Sequence, residues 1–90
     1  MQAQAKAQDW ANHLASRGTL AHSRLSSGLS DWRMVAENVG YGSSVSAVHR
    51  QFMSSSGHRA NILGRGYTHL GTGVARGHGN TWVVHVFVQR

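Results

Sequence analysis

The chain has 90 residues, neither cysteine nor proline, and nine basic against three acidic side chains, a formal charge of +6. A chain of this length forms one small domain. The lack of cysteine excludes disulfides, thiolate metal centres and thiol catalysis, and no apolar run approaches the roughly 20 residues of a membrane-spanning helix.

Residues 2–17 are expected to form the first helix. Ala3, Ala7, Trp10, Ala11, Leu14 and Ala15 recur at three- and four-residue spacing and give one apolar stripe. Arg17 suits the negative C-terminal end of that helix, and Gly18 can take the left-handed conformation that stops it. Residues 19–35 are rich in Ser, Gly and Leu without a clear period and are expected to be a long loop. Residues 44–55 read as a second helix with Ser44 as N-cap and Val45, Val48 and Phe52 as its buried stripe. Residues 58–63 read as a short helical turn, closed by Gly64 and Gly66.

The C-terminal third changes character. Residues 67–76 and 81–89 are β-like and are joined by a turn-rich segment, Gly77-His78-Gly79-Asn80, which predicts a hairpin. In the last strand Trp82, Val84, Val86 and Val88 share one face, and Thr81, Val83, His85, Phe87 and Gln89 share the other. Apolar residues on both faces require cover on both sides, so the expected fold class is α+β, a three-layer α/β/α sandwich around a small antiparallel sheet. Gly71 and Gly73 fall on one face of the penultimate strand and leave room for close backbone approach. Trp10, Leu14, Val48, Phe52, Ile62, Leu70, Val84 and Val86 are the expected core.

Chemistry concentrates in few places. Asp9 and Asp31 fall on a polar helix face and in a loop, whereas Glu37 enters the stretch Ala36-Glu37-Asn38-Val39-Gly40. A carboxylate in such a stretch needs a partner, either a local cap or turn contact or a cleft shared with histidines. Of seven histidines, His13, His49 and His78 read as surface residues, and His69 and His85 as structural strand residues. His22 and His58 each lie at a break in regular structure, where sites are commonly built. No short-range metal-binding spacing links them.

The ordered set Trp10-Ala11-x-x-Leu14-Ala15, Leu20-x-His22-Ser23, Glu37-Asn38-Val39, Gly57-His58-Arg59-x-Asn61-Ile62-Leu63 and Leu70-Gly71-x-Gly73-x-Ala75, followed by the Trp82–Phe87 strand, resembles the CAP superfamily. That superfamily includes cysteine-rich secretory proteins, insect antigen 5 and plant pathogenesis-related proteins, and the Gly-His-Arg-x-Asn-Ile-Leu segment is similar to its bacterial SCP-like branch. The resemblance implies a cleft lined by two histidines and two glutamates, with His22, Glu37 and His58 matching three of them. It also implies that the two histidines hold zinc or another divalent ion in some members. Ser55 stands where the second glutamate falls in the family, and Phe52 where a tryptophan does, so a metal here is expected to bind weakly. The family also opens with an additional helix ahead of the one at 2–17.

Three functional readings follow. In the first, the chain is a binding module of the cell exterior or envelope, and His22, Glu37, Ser55 and His58 meet a small molecule, a lipid or a metal. In the second it is a metal-assisted hydrolase, with His22 and His58 on zinc and Glu37 as general base; Ser23 or Ser55 as nucleophile is a weaker variant. In the third, eight scattered arginines attract an anionic polymer without use of the cleft. Few aromatics accompany those arginines, so sequence-specific nucleic-acid binding is not expected. The Ala/Gln-rich start lacks the apolar stretch of a secretory leader. An exterior location therefore requires a leader already removed, and a cytoplasmic one follows if Met1 is the native start. Lastly, without the family's additional helix one sheet face is expected to be partly bare, which predicts a homodimer with Trp82, Val84, Val86 or their neighbours near the contact, or one that exchanges the first helix about the 19–35 loop; the alternative is a monomer in which the 19–35 loop folds back as cover.

Overall fold

The computed structural model describes residues 2–90. Helix α1 (Gln2–Arg17) is followed by a long loop, strand β1 (Met34–Gly42), helices α2 (Val45–Ser54) and α3 (Ser56–Leu63), and strands β2 (His69–Gly77) and β3 (Asn80–Gln89). The three strands form one antiparallel sheet in the order β1-β3-β2. Helix α1 covers one face, with Trp82, Val84, Val86, Val88 and Val39 packed beneath its alanines and Leu14. On the other face Val48 and Phe52 of α2 pack on Val83, with Ile62 of α3 beside them. The expected three-layer sandwich is the observed one.

The contact between α1 and β2 is set by what the strand lacks. A methyl group at Gly71 would collide with the carbonyl of Ala3, one at Gly73 with that of Ala7, and one at Gly77 with that of Ala15. Two strand residues advance about 6.6–6.8 Å and four helical residues about 6 Å. The glycines of β2 therefore keep step with the alanines of α1, and helix and strand run side by side at backbone contact.

The outer edge of β2 is also closed by α1. Gln4 accepts from the Thr72 N–H at 2.9 Å and donates to the Thr72 carbonyl at 2.5 Å. Gln8 repeats the pattern on Val74, at 3.3 and 2.8 Å. Two side-chain amides thus stand in for a fourth strand and block an edge that would otherwise pair with another chain.

The helix stops as expected. Gly18, at φ 68°, donates to the Leu14 carbonyl at 2.8 Å. The hairpin turn is tighter than the four-residue segment suggested. Only His78 and Gly79 lie outside the strands, both at positive φ, as a type I′ turn requires. His78 is not merely a surface residue, since its Nδ1 donates to the Ala15 carbonyl at 2.8 Å and ties the hairpin to the end of α1.

Several expectations need correction. Residues 34–42 are a strand, where the sequence suggested loop up to residue 35 and no element beyond it. Residues 56–63 form an eight-residue helix and not a single turn. Leu70 is half exposed, because on β2 only the glycine face is covered, and Trp10 and Ile62 are partly buried at the margins of the two cores. Trp82, Val84 and Val86 are at most 1% exposed beneath α1. The face expected to be partly bare is covered by α1.

This packing generates one prediction. Gly73→Ala forces α1 away from β2 and is expected to cost at least about 1–3 kcal/mol, whereas the same change at Gly57, where nothing lies within 4 Å, leaves no clash. Chemical denaturation of the two variants checks the difference.

Candidate functional site

The loop after Gly18 reverses direction and runs back along α1. Trp10 Nε1 donates to the Ala21 carbonyl at 2.8 Å. Lys6 Nζ donates to the Arg24 carbonyl at 2.8 Å and to Ser27 Oγ at 3.1 Å. Gln2 Nε2 donates to Ser30 Oγ at 2.9 Å. Positions 10, 6 and 2 form one side of the helix at four-residue steps, and they meet the loop in reverse order. The segment without periodicity is therefore anchored along its length by side chains from α1.

That anchoring delivers His22 and Ser23 to Glu37. The Glu37 side chain has no exposure to solvent. Its Oε1 accepts from the Ser23 N–H at 2.8 Å and lies 3.0 Å from His22 Nδ1, while Oε2 accepts from the Ser23 hydroxyl. A carboxylate only accepts, so the proton of neutral His22 sits on Nδ1 and Nε2 keeps its lone pair. The His22 side chain is 61% exposed. Glu37 is thus the fixed point and His22 the group offered outward.

The second half of the site lies on the other face of β1. Glu37 stands opposite Val86 and shares the α1 face with it; Asn38 stands opposite His85 and faces α2 and α3. Asn38 is fully buried. Its amide nitrogen donates to the His58 carbonyl at 3.2 Å and to His85 Nδ1 at 3.4 Å, and its oxygen accepts from Asn61 Nδ2 at 2.9 Å. Both ends of the amide therefore hold α3 against the sheet. His58 Nδ1 lies 2.9 Å from the hydroxyl of Ser55, the residue that caps α3, and its ring packs on Phe52 at 5.0 Å between centroids. Gly40 permits this, since a methyl there would meet the Phe52 ring at 2.7 Å.

Ser55 and His58 open into a cavity of about 430 Å³ along β1, with Leu20, Val39, Tyr41 and Phe52 among its walls. Glu37 and His22 do not line it. The four residues singled out from the sequence therefore fall into two pairs, His22 with Glu37 and His58 with Ser55. Among the described residues no three His, Asp or Glu side chains are grouped to hold a metal ion. In each pair Nδ1 is the engaged imidazole nitrogen, beside Glu37 in His22 and beside Ser55 in His58, and neither Nε2 makes a hydrogen bond among the described residues. Such nitrogens suit zinc chemically, with its other positions left to water or a ligand.

Sequence reasoning missed two roles. Asn38 and Asn61 were only part of a motif, yet they seat His58. Ser23, considered as a nucleophile, spends its hydroxyl and its N–H on Glu37. His85, between Phe52 and Phe87 and facing His49 and His58, has its pKa pushed below the ordinary histidine value. The cause is first burial and then the charges of those two histidines.

A model of the cysteine-rich secretory protein family, CAP, matches residues 1–89. No curated protein matches the chain.

Two outcomes are expected. Glu37→Gln puts an amide N–H against the donors of Ser23 or His22 and should cost about 1–3 kcal/mol. It also releases His22 from the Nδ1–H tautomer, which imidazole nitrogen NMR shifts report. The second concerns pH. His85 binds its proton less readily in the folded chain than in the unfolded one. Stability is therefore undiminished above the unfolded value, roughly 6.5, and falls as pH drops below it. Melting temperatures between pH 7.5 and 5 should decline, and His85→Gln should flatten part of that decline.

Proposed function

The chain belongs to the CAP, or cysteine-rich secretory protein, family, and on that premise we propose that it is a ligand-binding module of the cell exterior or envelope. Its working surface is the cleft beside β1. The carrying observation is the His58–Ser55 pair at the mouth of a roughly 430 Å³ cavity whose other walls include Leu20, Val39 and Phe52. Such a site suits a small molecule or lipid with an apolar body and one polar head. The head meets His58 Nε2 and the body lies along the apolar walls. Leu20 belongs to the same loop as His22, so a ligand in the cleft touches the segment that presents the first histidine.

A metal ion is the second reading, favoured by the outward Nε2 of His22. Glu37 supports it by fixing the ring, as a carboxylate behind a metal-binding histidine does. When bound, a divalent ion supplies an electrophilic point for an anionic ligand head. With one fixed carboxylate behind the site and none facing it, affinity is weak. The hydrolase reading is the less favoured one. It asks Glu37 to take a proton from a water, and that carboxylate has no solvent exposure and both oxygens engaged. No helix among the described residues is long and apolar enough to cross a membrane.

The test is an amide NMR titration with dodecanoate and, separately, with zinc. Dodecanoate should shift Leu20, Tyr41, Ser55 and His58 and leave α1 unmoved. Zinc should bind weakly at pH 7.5 and not at pH 5.5, because both imidazoles must be neutral to ligate. His58→Ala should weaken both. Shifts confined to surfaces away from β1, or tight zinc binding indifferent to His58→Ala, would overturn the respective reading.

A further inference from the structure

A second cavity, about 460 Å³, lies between α1 and the returning loop, with Lys6, Asp9, Trp10, His13, Ser23 and Arg24 in its walls. It is separate from the histidine cleft and shares no lining residue with it. Its walls combine three kinds of chemistry.

The first is an aromatic wall, in which the His13 ring covers one face of the Trp10 indole. The rings of Trp10 and His13 stack at 4.6 Å with 21° between their planes. The indole N–H is held by the Ala21 carbonyl, so the ring is fixed in place. The face of an aromatic ring carries negative charge density, and the polarised C–H bonds on one face of a sugar ring are a good match for it.

The second is positive charge. Lys6 is 7% exposed. Two of its three N–H donors are used by the Arg24 carbonyl and Ser27 Oγ, which leaves one for a ligand. Lys6 thereby fixes the main chain of Arg24, whose guanidinium has no carboxylate partner among the described residues. A guanidinium presents the fork that grips a carboxylate through two parallel hydrogen bonds.

The third is a single acid. The Asp9 carboxylate makes no hydrogen bond among the described residues, and Asp9 lines the same cavity. It accepts from hydroxyl groups and repels a densely charged polyanion such as polyphosphate. Ser27, whose hydroxyl oxygen accepts from Lys6, keeps its own O–H to donate.

An aromatic wall, two cations and one carboxylate select a polyhydroxylated ring with one negative charge. We propose that this groove is a binding site for an acidic sugar of the uronic-acid class, with its carboxylate on Arg24 and Lys6, its ring against the Trp10–His13 stack and its hydroxyls on Asp9 and Ser27. The groove also has a line to the other site. Ser23 lines it with one side of its residue and holds Glu37 through its N–H and hydroxyl, so an occupant pressing on the 23–27 turn is felt at the Glu37–His22 pair.

The experiment is an amide and indole NMR titration of the whole chain with the trimer of galacturonic acid. The neutral galactose trimer and tripolyphosphate serve as controls, at low and at physiological salt. The acidic trimer should shift the Trp10 indole and the amides of residues 23–28 to saturation. It should also move the His22 ring nitrogens, while the neutral trimer does neither. Arg24→Gln, at an exposed position, should weaken binding about tenfold or more, the usual consequence of losing a charge-assisted pair. His58→Ala should leave this binding intact, which keeps its outcome distinct from that of the histidine cleft. Tripolyphosphate binding at the same amides as well as the uronate, with steep loss on adding salt, would reduce the groove to generic attraction by a cationic surface and overturn the proposal. So would equal binding of the neutral trimer, or no shift of the Trp10 indole at millimolar uronate.

Discussion

Everything in this domain depends on how closely α1 can approach β2. A helix normally rests on a sheet through side chains. Here Gly71, Gly73 and Gly77 bring the strand to the carbonyl oxygens of Ala3, Ala7 and Ala15. With so little side-chain volume between them, the apolar burial comes from the neighbouring rows, Leu14 on the helix and Trp82, Val84, Val86 and Val88 on β3. The close approach also brings Gln4 and Gln8 within reach of the β2 edge. One geometric condition thus closes the core and the sheet edge together.

The same placement fixes the loop. Once the alanine row of α1 is committed to the sheet, the row of Gln2, Lys6 and Trp10 is turned towards the segment that follows Gly18. Each of these side chains is long and carries a donor at its tip, and each finds an acceptor in that segment. Lys6 is the costly member of the row. Burial pulls its pKa below the ordinary lysine value, and the nearby Glu37 carboxylate offsets part of that. A lysine buried this far holds two loop acceptors at once and defines one wall of the acidic-sugar groove, roles an apolar residue of the same size cannot fill.

How far this was legible follows from which residues carry each element. Helix α1 was readable to its end because alanine spacing, Arg17 and Gly18 all agree, and β3 because valines and aromatics fill every position from Trp82 to Val88 except His85. Helix α2 was readable through Ser44, whose hydroxyl accepts from the Ala47 N–H at 3.1 Å. Strand β1 was not. Its centre is Glu37-Asn38-Val39-Gly40, and Glu, Asn and Gly are all depleted in strands. It is a strand because all nine of its residues pair with β3, a non-local cause that leaves no local signal. The loop was equally opaque, since its order resides in side chains of α1 at least eleven residues away in the chain. At the candidate site, the sequence singled out His22, His58 and Glu37. It did not show that they form two pairs, because that depends on which face of β1 each one meets.

The strand that defied its propensities is also the one that builds the site, and the two facts have one cause. Alternation places adjacent residues on opposite faces of a sheet. On most strands one of those faces is apolar core. On β1 both central positions are polar and buried, Glu37 towards α1 and Asn38 towards α3. Each is acceptable there only because its hydrogen bonds are satisfied, Glu37 by His22 and Ser23, and Asn38 by His58, Asn61 and His85. A pair of buried polar side chains joined by one peptide bond therefore holds two histidines that approach from different layers of the fold. The relation between the two supports is set by the rigid pleat of a hydrogen-bonded strand, which turns Glu37 to one face of the sheet and Asn38 to the other. Replacing Glu37-Asn38 with good strand formers would make β1 easier to read and leave both histidines without their supports.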